Sequence, residues 1–233
     1  MATTITGVRH PKLGHIVTEI ERPPADAVLK LSRCYTGLIS DSLGKLGPMQ
    51  EEIRPLGPGM RMCGPAVTYH GDDWTARKMA MELLRPGDVL VIDAGGSRDY
   101  ASFGDFSATV VKGRGAAGVV IDGASRDLEG ILQLGLPVFA RAVTPRNRHY
   151  PAGPENCYVN LPVACGGVIV HPGDVIVGDA DGVVVVPREI AADLGDQLER
   201  ELESEPDKRQ RLSGPGFSFG VRGELEALGY RFD

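Results

Sequence analysis

The chain has 233 residues, 42% hydrophobic and 24% charged, with a formal net charge of −6. That length buries a sizeable core without disulfides or a structural metal, and the composition is that of a folded protein, not a disordered one. The excess of acid argues against a nucleic-acid-binding surface and against a polybasic membrane anchor. No apolar run approaches the roughly 18–20 residues that span a bilayer. The N-terminus, MATTITGVRHPKLGHIV, lacks the basic start and apolar core of a signal peptide. The four cysteines, Cys34, Cys63, Cys157 and Cys165, form no CxxC pair and read as reduced, buried thiols of a cytoplasmic protein.

Taken in chain order, residues 25–46 predict two helical pieces. Val28, Leu29 and Leu31 sit near helical spacing in the first; Leu38, Ile39, Leu43 and Leu46 do so in the second, which Gly47 closes. Residues 48–64, rich in Pro, Gly and Met, read as an irregular connection, and PAVTYH (65–70) as a short strand. Asp73 is placed to N-cap the helix DWTARKMAMELL, which Pro86-Gly87 terminates. DVLVIDA (88–94), AGVVIDG (117–123) and LPVFARA (136–142) are continuous apolar strands of the kind buried on both faces. Helices over 105–115 and 125–135 separate them, so this part of the sheet is parallel, with helices packed on it. Residues 166–187 hold three short strands with no helix between them, an antiparallel β-meander. Residues 188–205 form a charged helix, and the closing FGVRGELEALGYRFD has no clear period. PGDV occurs at 86–89 and 172–175, each time opening an apolar strand, and reads as one turn used twice. The fold class is α/β: a single domain with a central mixed sheet flanked by helices and an antiparallel meander.

Several short motifs are excluded by their surroundings. GRGAAG (113–118) matches GxGxxG, but a helix ends there and a strand follows, the reverse of a dinucleotide site. DADG (179–182) lacks the remaining spacing of a calcium loop and reads as a polar turn. The histidines show no zinc spacing, and His70 and His171 read as structural or solvent-facing. No GxSxG motif is present.

The chemistry concentrates between Asp93 and Asp127. Two parallel strands end in polar, Gly-rich loops, and ligands of such sheets sit beyond the C-terminal strand ends. Asp105, Asp122, Arg126 and Asp127 are therefore expected to converge on one cleft. The first-turn amides of the helix opening at Gly104-Asp105-Phe106-Ser107 can receive a carboxylate or phosphate oxygen. Arg126 suits bidentate carboxylate binding and oxyanion stabilisation; Asp127 suits a hydrated magnesium-type cation. The plainer reading is that both cap the helix and pair with surface charges.

GDFSATVVKGRGAAGVVIDGASRD (104–127) resembles the signature of the class II pyruvate aldolases that cleave 4-hydroxy-4-methyl-2-oxoglutarate and 4-carboxy-4-hydroxy-2-oxoadipate. These share the swivelling β/β/α-like fold of the regulator of ribonuclease activity A. The resemblance spans roughly residues 25–205 and includes GPAVTYHGDDW, PGDVLVIDA, LPVFARAVTP and VACGGVIVHPGDVIVGDADGVVVVP. Its most specific part is the GD…RD pair, with Asp105 and Arg126 21 positions apart. The family pattern has an acidic residue three positions after the RD aspartate; this chain has Gly130 there, with Glu129 one residue early.

The resemblance implies that Asp127 binds Mg²⁺ or Mn²⁺ and that Asp105 holds metal-bound water. Arg126 would contact pyruvate's carboxylate or enolate oxygen, and the amides of Gly104, Asp105, Phe106 and Ser107 would hold the substrate carboxylate. The family brings a glutamate from a neighbouring subunit's C-terminal helix towards the metal waters. Glu199, Glu201, Glu203 and Glu205 are the candidates, and Glu201 and Glu205 share one helix face. A solvated helix face is the plainer reading of all four. By the same resemblance the chain forms a homotrimer or hexamer, with 188–233 as a helical extension contacting a neighbour. It would act on a small 2-oxo acid, without nucleic acid or membrane.

The implied reaction is retro-aldol cleavage of a 4-hydroxy-2-oxo di- or tricarboxylic acid to pyruvate and a second 2-oxo acid, with oxaloacetate decarboxylation as a side activity. No lysine Schiff base is needed, and none of the six lysines ends an apolar strand. Two alternatives stand beside it: a non-catalytic regulator of a ribonuclease-like partner, and an aldolase or decarboxylase for another 2-oxo acid. As the resemblance is understood, the regulators lack the metal aspartate that this chain keeps at Asp127. Arg98, Arg146 and Arg148 are candidates, by charge alone, for the distal carboxylates of the substrate.

Overall fold

The computed structural model describes residues 11–147 and 153–232. The first ten residues, part of the N-terminal segment read above, and Arg148 lie outside that set. The chain runs α1 (Ala25–Ser32), α2 (Thr36–Ser42), β1 (Arg54–Pro55), β2 (Met62–His70), α3 (Trp74–Glu82), β3 (Val89–Phe103) and α4 (Asp105–Gly113). It continues through β4 (Gly118–Ser125), α5 (Leu128–Leu134), β5 (Val138–Val143), β6 (Tyr158–Val159), β7 (Val163–Cys165) and β8 (Val168–Val170). β9 (Val175–Asp179), β10 (Gly182–Val186), α6 (Ala191–Leu212) and α7 (Arg222–Ala227) complete it. Residues Met1–Leu198 form one compact unit and Glu199–Asp233 a second, smaller one made of the end of α6 and of α7.

The first unit is a mixed α/β body. Its main sheet has the order β1-β5-β4-β3-β2-β9-β10, with β6 on β2. The pairs β2–β3, β3–β4 and β4–β5 are parallel; β9 joins β2, and β10 joins β9, antiparallel. Each parallel step is bridged by one helix, as the strand–helix–strand order predicts. β2 serves both parts of the sheet, since Met62–Pro65 pairs with β9 and Ala66–His70 with β3. It therefore starts earlier than the sequence suggested, inside the stretch read as irregular.

The continuous apolar runs are buried on both faces, and alternation divides them between two cores. Leu90, Ile92, Val119, Ile121 and Val138 join the core under α3, α4 and α5, with Ala80, Val111 and Ile131 from those helices. Val89, Val91, Val120 and Phe139 point the other way, against Val163, Cys165 and Val170 of the β7–β8 hairpin. The segment predicted as one meander divides here. β8 pairs with β7 in a separate two-stranded sheet, while β9 and β10 extend the main one.

The repeated PGDV is one turn used twice. Gly87 and Gly173 have φ of +88° and +89°, in the left-handed region that glycine enters without steric cost. In each copy the aspartate carboxylate accepts the amide three residues back: Arg85 to Asp88 at 2.7 Å, His171 to Asp174 at 2.7 Å. Arg22 completes the first copy with a bidentate pair to buried Asp88, at 2.9 and 2.8 Å. The DADG turn is structural too: Asp179 accepts from the Thr36 amide and hydroxyl, both at 2.8 Å, and ties α2 to the β9–β10 hairpin. GRGAAG is a helix stop followed by a strand, with Gly115 at φ +75°. Among the described residues no helix is long and apolar enough to cross a membrane.

Asp73 caps α3 as predicted, accepting from the Ala76 amide at 2.8 Å and also from Gly153 at 2.5 Å. The Ala76 amide, opposed by burial and helped by the Gly153 amide, holds its carboxyl below the ordinary carboxylate range. A depressed folded-state pKa contributes stability above the unfolded value, near 3.9, that is lost as pH falls through the folded one. Asp73→Ala is expected to cost about 1–2 kcal/mol at pH 7 in urea unfolding. The difference from wild type should shrink as the pH is taken below about 4.

Candidate active site

The site begins with a detour in β3. Asp93 pairs with Asp122 of β4, but the next partner of Gly123 is Ser97, and that of Ala124 is Ala101. Gly95 and Gly96, at φ +65° and +73°, let the chain swing out. The segment read as a loop thus returns to the sheet. The Phe103 carbonyl accepts from the Arg126 amide at 2.9 Å and from the Ser125 hydroxyl at 3.2 Å. This return places the start of α4 beside the start of α5, and with it the GD next to the RD.

Arg126 and Asp127 face each other, with Nε and Oδ2 at 3.1 Å and both side chains part-exposed. Asp127 occupies the N-cap position of α5, yet its side chain caps nothing and its φ is +56°. The reading of Asp127 as a simple helix cap therefore does not hold. Gly104 leaves room for this arrangement. A Cβ there would lie 2.5 Å from Asp127 Oδ2 and 3.1 Å from Arg126 Cγ. Its backbone is extended, so the demand is for space and not for a special φ. Gly130 does the same for Asp105: a Cβ there would lie 2.8 Å from Asp105 Cβ. The departure from the family pattern at Gly130 thus sits directly against the other carboxylate. Asp105 Oδ1 accepts the Phe106 amide at 2.7 Å, so one of the first-turn amides expected to hold a ligand is engaged by the protein.

These groups open onto one cavity of about 570 Å³. Residues 101–107 form one wall with Arg126 and Asp127, so Gly104, Asp105, Phe106, Ser107, Arg126 and Asp127 are brought together. Trp74, Thr75 and Arg77 of α3, with Asn147, complete the described lining. Arg77 is buried, donates from Nη1 to the Ser102 carbonyl, and lies 4.8 Å from the Trp74 ring centroid. Sequence reasoning missed it. The available signal was spacing: Arg77, Ala80 and Met81 are the buried stripe of α3, an i, i+3, i+4 pattern with an arginine in an apolar place.

Asp122 does not converge with the others. It stands on the opposite face of the sheet, where Arg141 Nε donates to Oδ1 and the Gly166 amide to Oδ2 at 2.8 Å. It belongs to a row running across four strands: His70 stands opposite Asp93 and Asp93 opposite Asp122, and Arg141 of β5 joins through its bond to Asp122. His70 Nδ1 meets Asp93 at 2.8 Å and its ring stacks on Tyr158 at 4.7 Å, in keeping with the structural reading of that histidine. Of the arginines proposed for a distal carboxylate, Arg98 and Arg146 do not line the cavity, and Arg146 lies 5.1 Å from the Tyr100 ring centroid. Glu201 and Glu205 lie on the part of α6 in the second unit, where Glu205 pairs with Arg209 at 3.1 Å.

The donor set fits a hard, hydrated cation. No group of three or more His, Cys, Asp and Glu able to hold a metal occurs among the described residues. Asp127, with Asp105 near it, instead offers the one or two carboxylates that Mg²⁺ takes while keeping most of its waters. The four cysteines form no disulfide, and burial pushes the Cys63 thiol up to about 12 and Cys165 upwards too, so neither is a ready nucleophile.

Residues 36–185 match the model of the RraA-like family, described as Aldolase/RraA. The chain belongs to the RraA-like family. A relative from Halalkalibacterium halodurans, provisionally named 4-hydroxy-4-methyl-2-oxoglutarate aldolase, is 41% identical over 166 residues, 70% of this chain and 77% of that one. Among solved structures, Streptomyces coelicolor RraAS2, described as an unusual member of the RNase ES inhibitor RraA protein family, superposes with a TM-score of 0.72 at 32% identity. That match covers 83% of this chain and all of the other. A Geobacillus kaustophilus protein titled S-adenosylmethionine:2-dimethylmenaquinone methyltransferase aligns at 31% identity and TM-score 0.58, over 66% of this chain and 95% of its own. In this RraA-like chain the GxGxxG match, GRGAAG, follows a helix and precedes a strand, the reverse of a nucleotide-binding loop.

The two glycines predict different outcomes. At Gly104 the obstacle is the mobile end of Asp127, so Gly104→Ala should leave stability within about 1 kcal/mol while displacing the Asp127 carboxylate. At Gly130 the obstacle is Asp105 Cβ, which cannot swing away. Gly130→Ala should lower stability by about 1–2 kcal/mol net, although alanine favours a helix by about 1 kcal/mol. Denaturant unfolding of both variants checks the order.

Proposed function

We propose that this RraA-like protein is a class II pyruvate aldolase, a carbon–carbon lyase that depends on Mg²⁺ or Mn²⁺. Its substrate is a 4-hydroxy-2-oxo di- or tricarboxylic acid, either 4-hydroxy-4-methyl-2-oxoglutarate or 4-carboxy-4-hydroxy-2-oxoadipate. The observation that carries this reading is the Arg126–Asp127 pair, held at 3.1 Å on the wall of a cavity that also contains Asp105. The name of the H. halodurans relative supports an aldolase, and the absence of lysine from the described lining supports a route without a Schiff base.

Asp127 would hold the cation directly and Asp105 through water; when bound, it supplies Lewis-acid polarisation of the 2-oxo acid end. Arg126, on the cavity wall, binds that same end through its guanidinium. Asp105 steers a water that takes the C4 hydroxyl proton. The O–H electrons become the new C4 carbonyl, the C3–C4 bond breaks, and its pair moves onto pyruvate as an enolate. Arg126 stabilises that charge where it develops, and protonation at C3 releases pyruvate. Oxaloacetate loses CO₂ through the same enolate, so its decarboxylation accompanies the main activity. The assembly belonging to this proposal is a homotrimer or hexamer in which Glu201 or Glu205 of a neighbour approaches the metal waters.

The fold shared with RraAS2 favours a second reading, a non-catalytic regulator of a ribonuclease-like partner. One assay separates the two. EDTA is expected to abolish pyruvate release, and Mg²⁺ or Mn²⁺ to restore it; full turnover in EDTA removes the metal. Asp127→Asn should remain folded and lose metal-dependent activity. Arg126→Ala should lower kcat roughly 100- to 1,000-fold, the usual effect of deleting one oxyanion donor. An Arg126→Ala rate within threefold of wild type takes the arginine out of the mechanism.

A further inference from the structure

A substrate of the proposed class carries charge at both ends. Arg126 and the carboxylates beside it account for the 2-oxo acid end. Another group in the cavity is needed for the distal carboxylate; of the arginines that charge alone suggested, Arg98 and Arg146 lie outside the described lining, and Arg148 lies outside the described residues.

We infer that Arg77 is the specificity residue for that distal carboxylate, and that the cavity is built for 2-oxo acids with a second anionic end. Arg77 brings a second guanidinium to the same cavity from α3, an element separate from the strand ends that carry Arg126 and Asp127. Its side chain is fixed in two ways, by donation to the Ser102 carbonyl and by stacking on Trp74 at 4.8 Å. A guanidinium restrained in this way keeps its planar fork aimed, so little conformational freedom is lost when a carboxylate docks. Burial raises the value of such a contact, because a charge-assisted pair screened from water is stronger than one on the surface. α3 is itself anchored by the Asp73 cap, which sets where Arg77 and Trp74 stand. The volume of about 570 Å³ leaves room beyond a three-carbon acid for such a distal group.

This inference rests on the aldolase reading for its substrate, and its test is chosen to fail separately. The probes are 2-oxoglutarate and 2-oxopentanoate, equal in chain length, with a methyl in the second where the first has its distal carboxylate. Calorimetry on the full chain with Mg²⁺ present should show wild type preferring 2-oxoglutarate by roughly 10- to 100-fold. Arg77→Met should collapse that preference to within about threefold, below what a charge-assisted hydrogen bond supplies. Trp74→Leu leaves the charge but removes the stacking face. It should cut the preference roughly 2- to 10-fold, and it serves if Arg77→Met does not fold. A preference in Arg77→Met equal to that of wild type, an undiminished preference in Trp74→Leu where Arg77→Met does not fold, or no wild-type preference, overturns the role of Arg77. A preserved 2-oxoglutarate preference in a protein that releases no pyruvate overturns the aldolase reading and leaves Arg77 as a dicarboxylate-binding residue.

Discussion

Everything at this site follows from a parallel sheet buried on both faces. In such a sheet a side chain's face is set by whether its position is odd or even. Val120 and Asp122 share one face; Val119 and Ile121 take the other, under the helices. A carboxylate placed on the hairpin side by this rule needs a partner there, and Asp122 finds Arg141 and the Gly166 amide. Arg126 and Asp127 escape the rule because the strand has ended, and a left-handed residue turns the chain towards the helical side.

The energetics of the Arg126–Asp127 pair point away from a stabilising role. An ion pair as exposed as this one contributes about 0–1 kcal/mol. The left-handed backbone at Asp127 costs about 1–2 kcal/mol for a non-glycine residue, and no capping bond offsets it. The sum is close to zero or unfavourable. The Arg22–Asp88 pair is the opposite case: its carboxylate is buried, bidentate and also bonded to an amide, and it secures a turn that the fold uses twice. One pair secures the turn that opens β3, and the other presents two charges to a cavity.

Space shapes the site as much as charge does. Gly104 and Gly130 leave room for their neighbours: a Cβ at Gly104 would meet the Asp127 carboxylate at 2.5 Å, and one at Gly130 would meet Asp105 Cβ at 2.8 Å. Gly130 therefore ties this chain's departure from the family pattern to the placement of Asp105. With Arg77 set on Trp74, the cavity carries two arginines and two aspartates drawn from four elements or their junctions.

The sequence by itself determined the sheet-and-helix order, the Asp73 cap and the repeated PGDV turn, because each is written in local spacing or in short-range hydrogen bonds. Even the exclusion of GRGAAG and DADG needed only their neighbours in the chain. Tertiary structure alone decided that β3 swings out and returns, that the predicted meander divides between two sheets, and that Asp122 faces away from the cavity. It alone placed a buried arginine of α3 on the cavity wall. These outcomes depend on register and on which face of an element is covered, and they are fixed only when strands distant in sequence pair and pack.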